Sequence, residues 1–169
     1  AEIRSELEHL GGHRWKTDHS DTEVILHAFE EWGIDCVQRF RGMFAIALWD
    51  ARRRELWLIR DRVGVKPLYY AELPDGHWIF GSELKALLAH GGLARELDPC
   101  AIEDYFALGY VPAPRTIFAS AHKLPPAHTL TLEADGQVEL RRYWQLDFGR
   151  KRRFMSDAEA GDAIRQELT

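Results

Sequence analysis

The stretch Met43-Phe-Ala-Ile-Ala-Leu-Trp49 is uninterrupted apolar chain, and after the polar turn Asp50–Arg54 it returns as Leu56-Trp-Leu-Ile59. A surface helix needs a polar face and a half-buried strand needs alternation. Two short apolar runs joined by a turn therefore fit an antiparallel strand pair covered on both faces. Leu68–Ala71 reads as a third strand, which Pro74-Asp75-Gly76 turns back as His77-Trp-Ile-Phe80. Thr129–Glu133 and Gln137–Tyr143 make another hairpin around Ala134-Asp135-Gly136. Strands linked by hairpins exclude a βαβ parallel sheet.

Helical periodicity surrounds these strands. Residues 1–10 read as a helix with Ile3, Leu7 and Leu10 on one stripe, stopped by Gly11-Gly12. His13–Thr17 reads as a short polar strand. Ser20 and Glu23 have capping-box spacing, and Ile25, Ala28, Phe29 and Trp32 follow at helical intervals up to Gly33. A shorter helical piece over 35–40 presents Val37 and Phe40. Glu83–His90 forms a helix with Leu84, Leu87 and Leu88 inward. Asp98-Pro99 caps another, with Ile102, Tyr105 and Phe106 facing the core. Val111–Pro114 is a stiff extended loop. From Gln145 to Met155 apolar density falls, which reads as a linker; Ser156-Asp157 caps a final helix. Helices before and after the strand block make the fold class α+β.

Charge and cysteine usage narrow the function classes. The formal charge of −5 argues against a nucleic-acid binder, and the basic run Arg150-Lys151-Arg152-Arg153 reads as a solvated linker. No apolar run approaches the ~20 residues that span a bilayer. The N-terminal residues are not a signal peptide, and two isolated thiols, Cys36 and Cys100, fit a reducing cytoplasm. There is no dinucleotide fingerprint and no P-loop. His9 and His13 could share a helix face only if Gly11-Gly12 were helical, so no metal ligands are expected. Cys36 and Cys100 lack an identifiable base and read as inert packing.

Two segments could carry chemistry. In His19-Ser20-Asp21-Thr22-Glu23, capping explains Ser20 and Glu23 without a ligand. Asp21, an acceptor-only carboxylate at a helix start, could equally receive an ammonium group. In Arg60-Asp61-Arg62-Val63-Gly64-Val65-Lys66-Pro67, three cations and a carboxylate surround a turn-forming Gly. It reads as an ion-paired connection between core strands, with a ligand loop as the alternative.

Six blocks in order resemble the glutaminase domain of glutamine-hydrolysing asparagine synthetases. They are Ser20-Asp-Thr-Glu-Val-Ile-Leu26, Gly42-Met-Phe-Ala-Ile-Ala-Leu48, Arg60–Tyr70, Gly81-Ser-Glu-Leu-Lys-Ala-Leu87, Gly109–Phe118 and Lys123-Leu-Pro-Pro126. The resemblance covers residues 1–144 and implies a class II glutamine amidotransferase domain. Its fold would be the N-terminal-nucleophile (Ntn) hydrolase four-layer sandwich, two antiparallel sheets between helical layers, incomplete in this chain. Residues 145–169 would be a linker and the first helix of an ATP-dependent synthetase domain.

In that family an N-terminal Cys attacks the glutamine amide and its own α-amino group, with a pKa of about 8, takes the thiol proton. Position 1 here is Ala, and neither Cys36 nor Cys100 carries a free α-amine. The expectation is therefore a chain truncated at both ends, with no catalytic residue of its own and little activity alone. One site residue carries over: Asp21 matches the carboxylate that binds the α-amino group of L-glutamine. The resemblance implies no cofactor in this chain, ATP and Mg²⁺ in the parent's C-terminal domain, and glutamine and that synthetase domain as partners. Charge, apolar run length and cysteine usage leave no nucleic acid and no membrane as expected partners and a cytoplasmic location, and a homodimer stays open. The expected reaction is amidation of aspartate with ammonia from glutamine. The alternatives are another carboxylate acceptor, in a polysaccharide or antibiotic pathway, and a non-catalytic glutaminase-like structural module.

Overall fold

A computed structural model describes residues 2–149 and 156–168. The helices are α1 (Glu2–Leu10), α2 (Asp21–Trp32), α3 (Leu84–Leu88), α4 (Pro99–Leu108) and α5 (Asp157–Leu168), with a 3-10 helix at Gly33–Gln38. The strands are β1 (Ala45–Asp50), β2 (Glu55–Arg60), β3 (Tyr69–Glu72), β4 (Trp78–Gly81), β5 (His122–Lys123), β6 (His128–Leu132) and β7 (Val138–Arg142). They form two antiparallel sheets, ordered β1-β2-β6-β7 and β4-β3-β5. No helix among the described residues is long and apolar enough to cross a membrane.

The layering follows from the period-two alternation of β2. Ile59 points to one side and packs with Leu7, Ala28, Cys36, Val37 and Phe40 from the N-terminal helices. Leu58 points to the other side and packs with Leu68, Leu124 and Leu130, backed by Tyr70 and Trp78 of the second sheet. Leu87 of α3 covers the far side of that second sheet with Ala71, Leu73, Leu93 and Ala121. Helix, sheet, sheet, helix is the expected α+β sandwich.

Several local expectations are corrected. β1 is an edge strand, and Met43 and Trp49 are exposed at 63% and 58% rather than covered. Leu10 lies outside the α1 stripe, with Leu7 the buried residue. In α4 the inward residues are Ala101 and Ile102, whereas Tyr105 and Phe106 face outward. Residues 13–17 form no strand, because their backbone donors find a side chain instead of a neighbouring strand. The basic run 150–153 and the end of the linker lie outside the described residues. Ser156 does form a reciprocal cap with Glu159 at the start of α5.

Candidate functional site

Helix α2 begins at Asp21 because Ser20 caps it: the Ser20 hydroxyl accepts the Glu23 N–H at 3.3 Å. The capping box stops there. Glu23 does not return to Ser20; its carboxylate accepts the backbone N–H groups of Lys16 (2.6 Å) and Thr17 (2.9 Å) and the Thr17 hydroxyl (2.5 Å). The Ser20 N–H in turn donates to that hydroxyl at 3.3 Å. Arg4 of α1 donates to the Thr17 carbonyl at 2.6 Å and lies 4.2 Å over the Trp15 ring. The Thr17 hydroxyl, followed by the Lys16 amide, pulls the Glu23 carboxyl down to about 2. One ionised carboxylate thus fixes the approach to Ser20 and Asp21.

Asp21 is exposed and sits on the edge of a cleft of about 460 Å³. Val24 and Ile25 of α2 and Phe44 and Ile46 give the cleft an apolar wall, and Glu2, Asp21, Arg39 and Arg41 give it charge. Arg39 is held in place by a two-point contact with Glu6 (2.7 and 2.9 Å) and by stacking 4.1 Å over Trp32. The arrangement suits a small zwitterion: Asp21 can accept from an ammonium group while a short aliphatic chain lies on the apolar wall. The structure places Asp21, the residue singled out in the sequence, at this cleft together with Arg39 and Arg41, which the sequence did not single out because their proximity depends on how the 3-10 helix returns the chain to β1.

The Arg60–Tyr70 segment is a core connection, but among the described residues the charged side chains of Arg60, Asp61 and Arg62 bond to backbone rather than form ion pairs. The buried Asp61 carboxylate accepts the N–H groups of Val63 (3.2 Å), Val65 (3.0 Å) and Lys66 (2.9 Å). Burial pushes the Asp61 carboxyl up, and the loop amides from Lys66 back to Val63 outweigh it, leaving it below the usual range. Arg60 donates to the carbonyls of Lys66 (2.8 Å), Leu124 (2.7 Å) and Gly64 (2.7 Å). Tyr143 donates its hydroxyl to the Arg60 carbonyl at 2.7 Å, and burial raises its pKa to about 12. Lys123 donates to the Val111 carbonyl. These groups hold backbone to backbone and leave none aimed into the Asp21 cleft.

The two cysteines stay apart from the cleft chemistry. Cys36 is buried, and desolvation followed by the neighbouring Asp35 pushes its thiol up to about 12, so it stays protonated. Cys100 lies in the first turn of α4, where Asp98 caps its N–H at 2.9 Å. Of the two histidines considered together in the sequence, His9 turns back to the Ser5 carbonyl, while His13 stacks against His27 of α2 with ring centroids 4.8 Å apart.

Comparison with known proteins gives this geometry a context. Residues 1–144 match the family described as a glutamine amidotransferase domain. The chain is 41% identical over 147 residues to asparagine synthetase (glutamine-hydrolysing) 3 of Bacillus subtilis, covering 86% of this chain and 23% of that protein. It is 40% identical over 132 residues to a putative asparagine synthetase (glutamine-hydrolysing) 2 of Methanocaldococcus jannaschii, covering 75% of this chain and 25% of the relative. Among solved structures it is similar in fold to the glutamine phosphoribosylpyrophosphate amidotransferase of B. subtilis. That similarity has a TM-score of 0.55 at 18% identity and covers 86% of this chain and 27% of that one. The chain spans about a quarter of the length of the curated relatives it matches.

Proposed function

This chain belongs to the glutamine amidotransferase domain family, with the Ntn-hydrolase-type fold, and from that premise we propose that it is the glutamine-binding scaffold of an asparagine-synthetase-type enzyme. Glutamine hydrolysis in such an enzyme supplies ammonia for ATP-dependent amidation of aspartate. The family match over residues 1–144 is the observation that carries this reading. On the same reading, residues 145–169 lead into a synthetase domain, and ATP and Mg²⁺ belong to that domain. Neither Cys36 nor Cys100 is given the nucleophile's role, since one is buried and protonated and neither offers a free α-amine.

In this reading Asp21 accepts hydrogen bonds from the α-ammonium of glutamine at the cleft edge. Its position at the first residue of α2, held by the Ser20 cap and the Glu23 anchor, supports the assignment. A charge-assisted hydrogen bond of this kind contributes about 2–3 kcal/mol. In the enzyme containing this domain, Asp21→Asn therefore raises the KM for glutamine at least tenfold while ammonia-dependent synthesis is retained. Equal loss of glutamine- and ammonia-dependent activity would overturn the assignment and leave Asp21 as a helix-start residue only.

A further inference from the structure

Around the turn of α2 opposite Asp21, the fold assembles a second group of chemistry-bearing residues. At 100° per residue, Glu23, His27 and Glu30 fall on one stripe of the helix and Asp21, Ile25 and Ala28 on the other. His13, from the irregular segment before α2, lies against the first stripe. Nδ1 of His27 is 2.8 Å from Oε2 of Glu30, and Nδ1 of His13 is 3.9 Å from the same oxygen. One ligating atom from each of His13, His27 and Glu30 falls within 4.8 Å of the other two.

We propose that His13, His27 and Glu30 form a zinc-binding site that clamps residues 13–17 onto α2. Two imidazoles and a carboxylate are a donor set suited to Zn²⁺. Tetrahedral ligands at about 2.0–2.1 Å from the metal stand roughly 3.3 Å from one another. The distances of 2.8 and 3.9 Å to Glu30 bracket that separation, and the set closes when the ligating atoms, which lie within 4.8 Å of one another, draw in around the metal.

The far sides of the two rings supply the second observation. His13 is 10% exposed and His27 15%, and the Nε2 atom of each is buried without a hydrogen-bond partner. Each of these atoms faces a carboxylate: His13 Nε2 is 3.4 Å from Glu31 Oε2, and His27 Nε2 is 3.9 Å from Glu23 Oε1. A histidine that ligates through Nδ1 must carry its proton on Nε2, and a carboxylate there orients the ring and raises its basicity. Glu30 is 65% exposed, which leaves a further coordination position open to water. Trp15, edge-on to His27 at 4.7 Å, walls the remaining side.

The test is titration of the chain with Zn²⁺ after chelator treatment, followed by calorimetry and by thermal unfolding. The proposal expects one Zn²⁺ per chain and a rise in the unfolding midpoint with metal concentration. Replacing Zn²⁺ with Co²⁺ should give visible absorption of a low-coordinate N/O site. Glu30→Gln changes a surface carboxylate and keeps the fold, and it should weaken binding at least tenfold; Glu31→Gln should weaken it roughly tenfold through the ring it orients. His27→Gln should abolish stoichiometric binding, while His77→Gln, at an exposed turn, should leave it unchanged. Absence of stoichiometric binding overturns the proposal, as does equal affinity in wild type and Glu30→Gln, which would mean adventitious binding at other histidines. Should His27→Gln fail to fold, the Glu30 and Glu31 variants decide the matter alone.

Discussion

Arg60 and Asp61 are adjacent residues of opposite charge that use their side chains on the backbone rather than on each other. The guanidinium takes three carbonyls and the carboxylate takes three amides. The loop from 60 to 66 is thereby closed at both polarities, and through Leu124 it is tied to the second sheet. Asp61 also accepts the Ala127 N–H on its carbonyl and donates its own N–H to the Phe44 carbonyl, so one residue ties three segments of chain together.

Asp61→Asn keeps the shape but replaces one acceptor oxygen with a donor facing N–H groups. A buried charge-assisted set losing a member costs about 2–3 kcal/mol. Denaturant unfolding should show the midpoint falling with an unchanged slope. A loss under 0.5 kcal/mol, roughly that of a surface substitution, would mean the loop closes without this carboxylate.

Gly64 adopts φ +73°, and a Cβ there would lie 2.7 Å from Cγ of Pro126 and 3.2 Å from the Arg60 guanidinium. Backbone strain of about 1 kcal/mol adds to the clash with a rigid ring. Gly64→Ala should therefore lower the thermal midpoint by more than 4 °C, taking about 2–4 °C per kcal/mol. An unchanged midpoint would show that Pro126 moves aside freely.

Tyr143→Phe removes the hydroxyl donated to the Arg60 carbonyl and should cost about 1 kcal/mol. Because both residues brace the same stretch, the double variant with Asp61→Asn should cost less than the two single losses together. Simple additivity would separate Tyr143 from the loop.

Glu23 gives the fold an acid limit. Its carboxyl is depressed from 4.5 in the free chain to about 2 in the folded one. The stabilisation it contributes is complete above 4.5 and is lost as pH falls towards 2, where the folded state also takes up the proton. Thermal midpoints measured in chelator should fall across that window in the wild type. In Glu23→Gln they should start lower and show a shallower fall, and identical profiles would remove Glu23 as the anchor of residues 16 and 17.

Ser20 and Asp21 separate capping from recognition. Ser20→Ala should cost about 1 kcal/mol of stability, while Asp21→Asn should act chiefly on the glutamine KM of the enzyme containing the domain. If Asp21→Asn instead lowers the midpoint as much as Ser20→Ala does, the capping explanation covers the whole segment.

Elements whose signal is local were legible in the sequence. The Asp98 cap with Pro99 behind it, the turns at Gly76 and Gly136, and the end of α2 at Gly33 all lie where residue chemistry puts them. Expectations failed where the deciding partner is remote. Tyr105 and Phe106 are as apolar as Ile102, so composition could not tell which face of α4 meets the core. Residues 13–17 alternate enough to read as strand, yet a carboxylate six and seven residues on takes their amides. Arg60 and Asp61 looked like an ion pair because charge is visible in sequence and the direction of a side chain is not. Asp21 was singled out by family resemblance, and its role waits on the glutamine KM of the Asp21→Asn variant. His13 and His27, separated by fourteen positions, come together only because the chain doubles back before α2.

The closure of the 60–66 loop uncouples side-chain exposure from backbone accessibility. Val63 and Val65 present 69% and 51% of their surface to water, while their N–H groups point inward at Asp61. Amide hydrogens at Val65 and Lys66 should exchange with deuterium on the timescale of the central strands, not of surface loops. Their release would then require the opening that parts the two sheets, which makes these loop amides reporters of global unfolding.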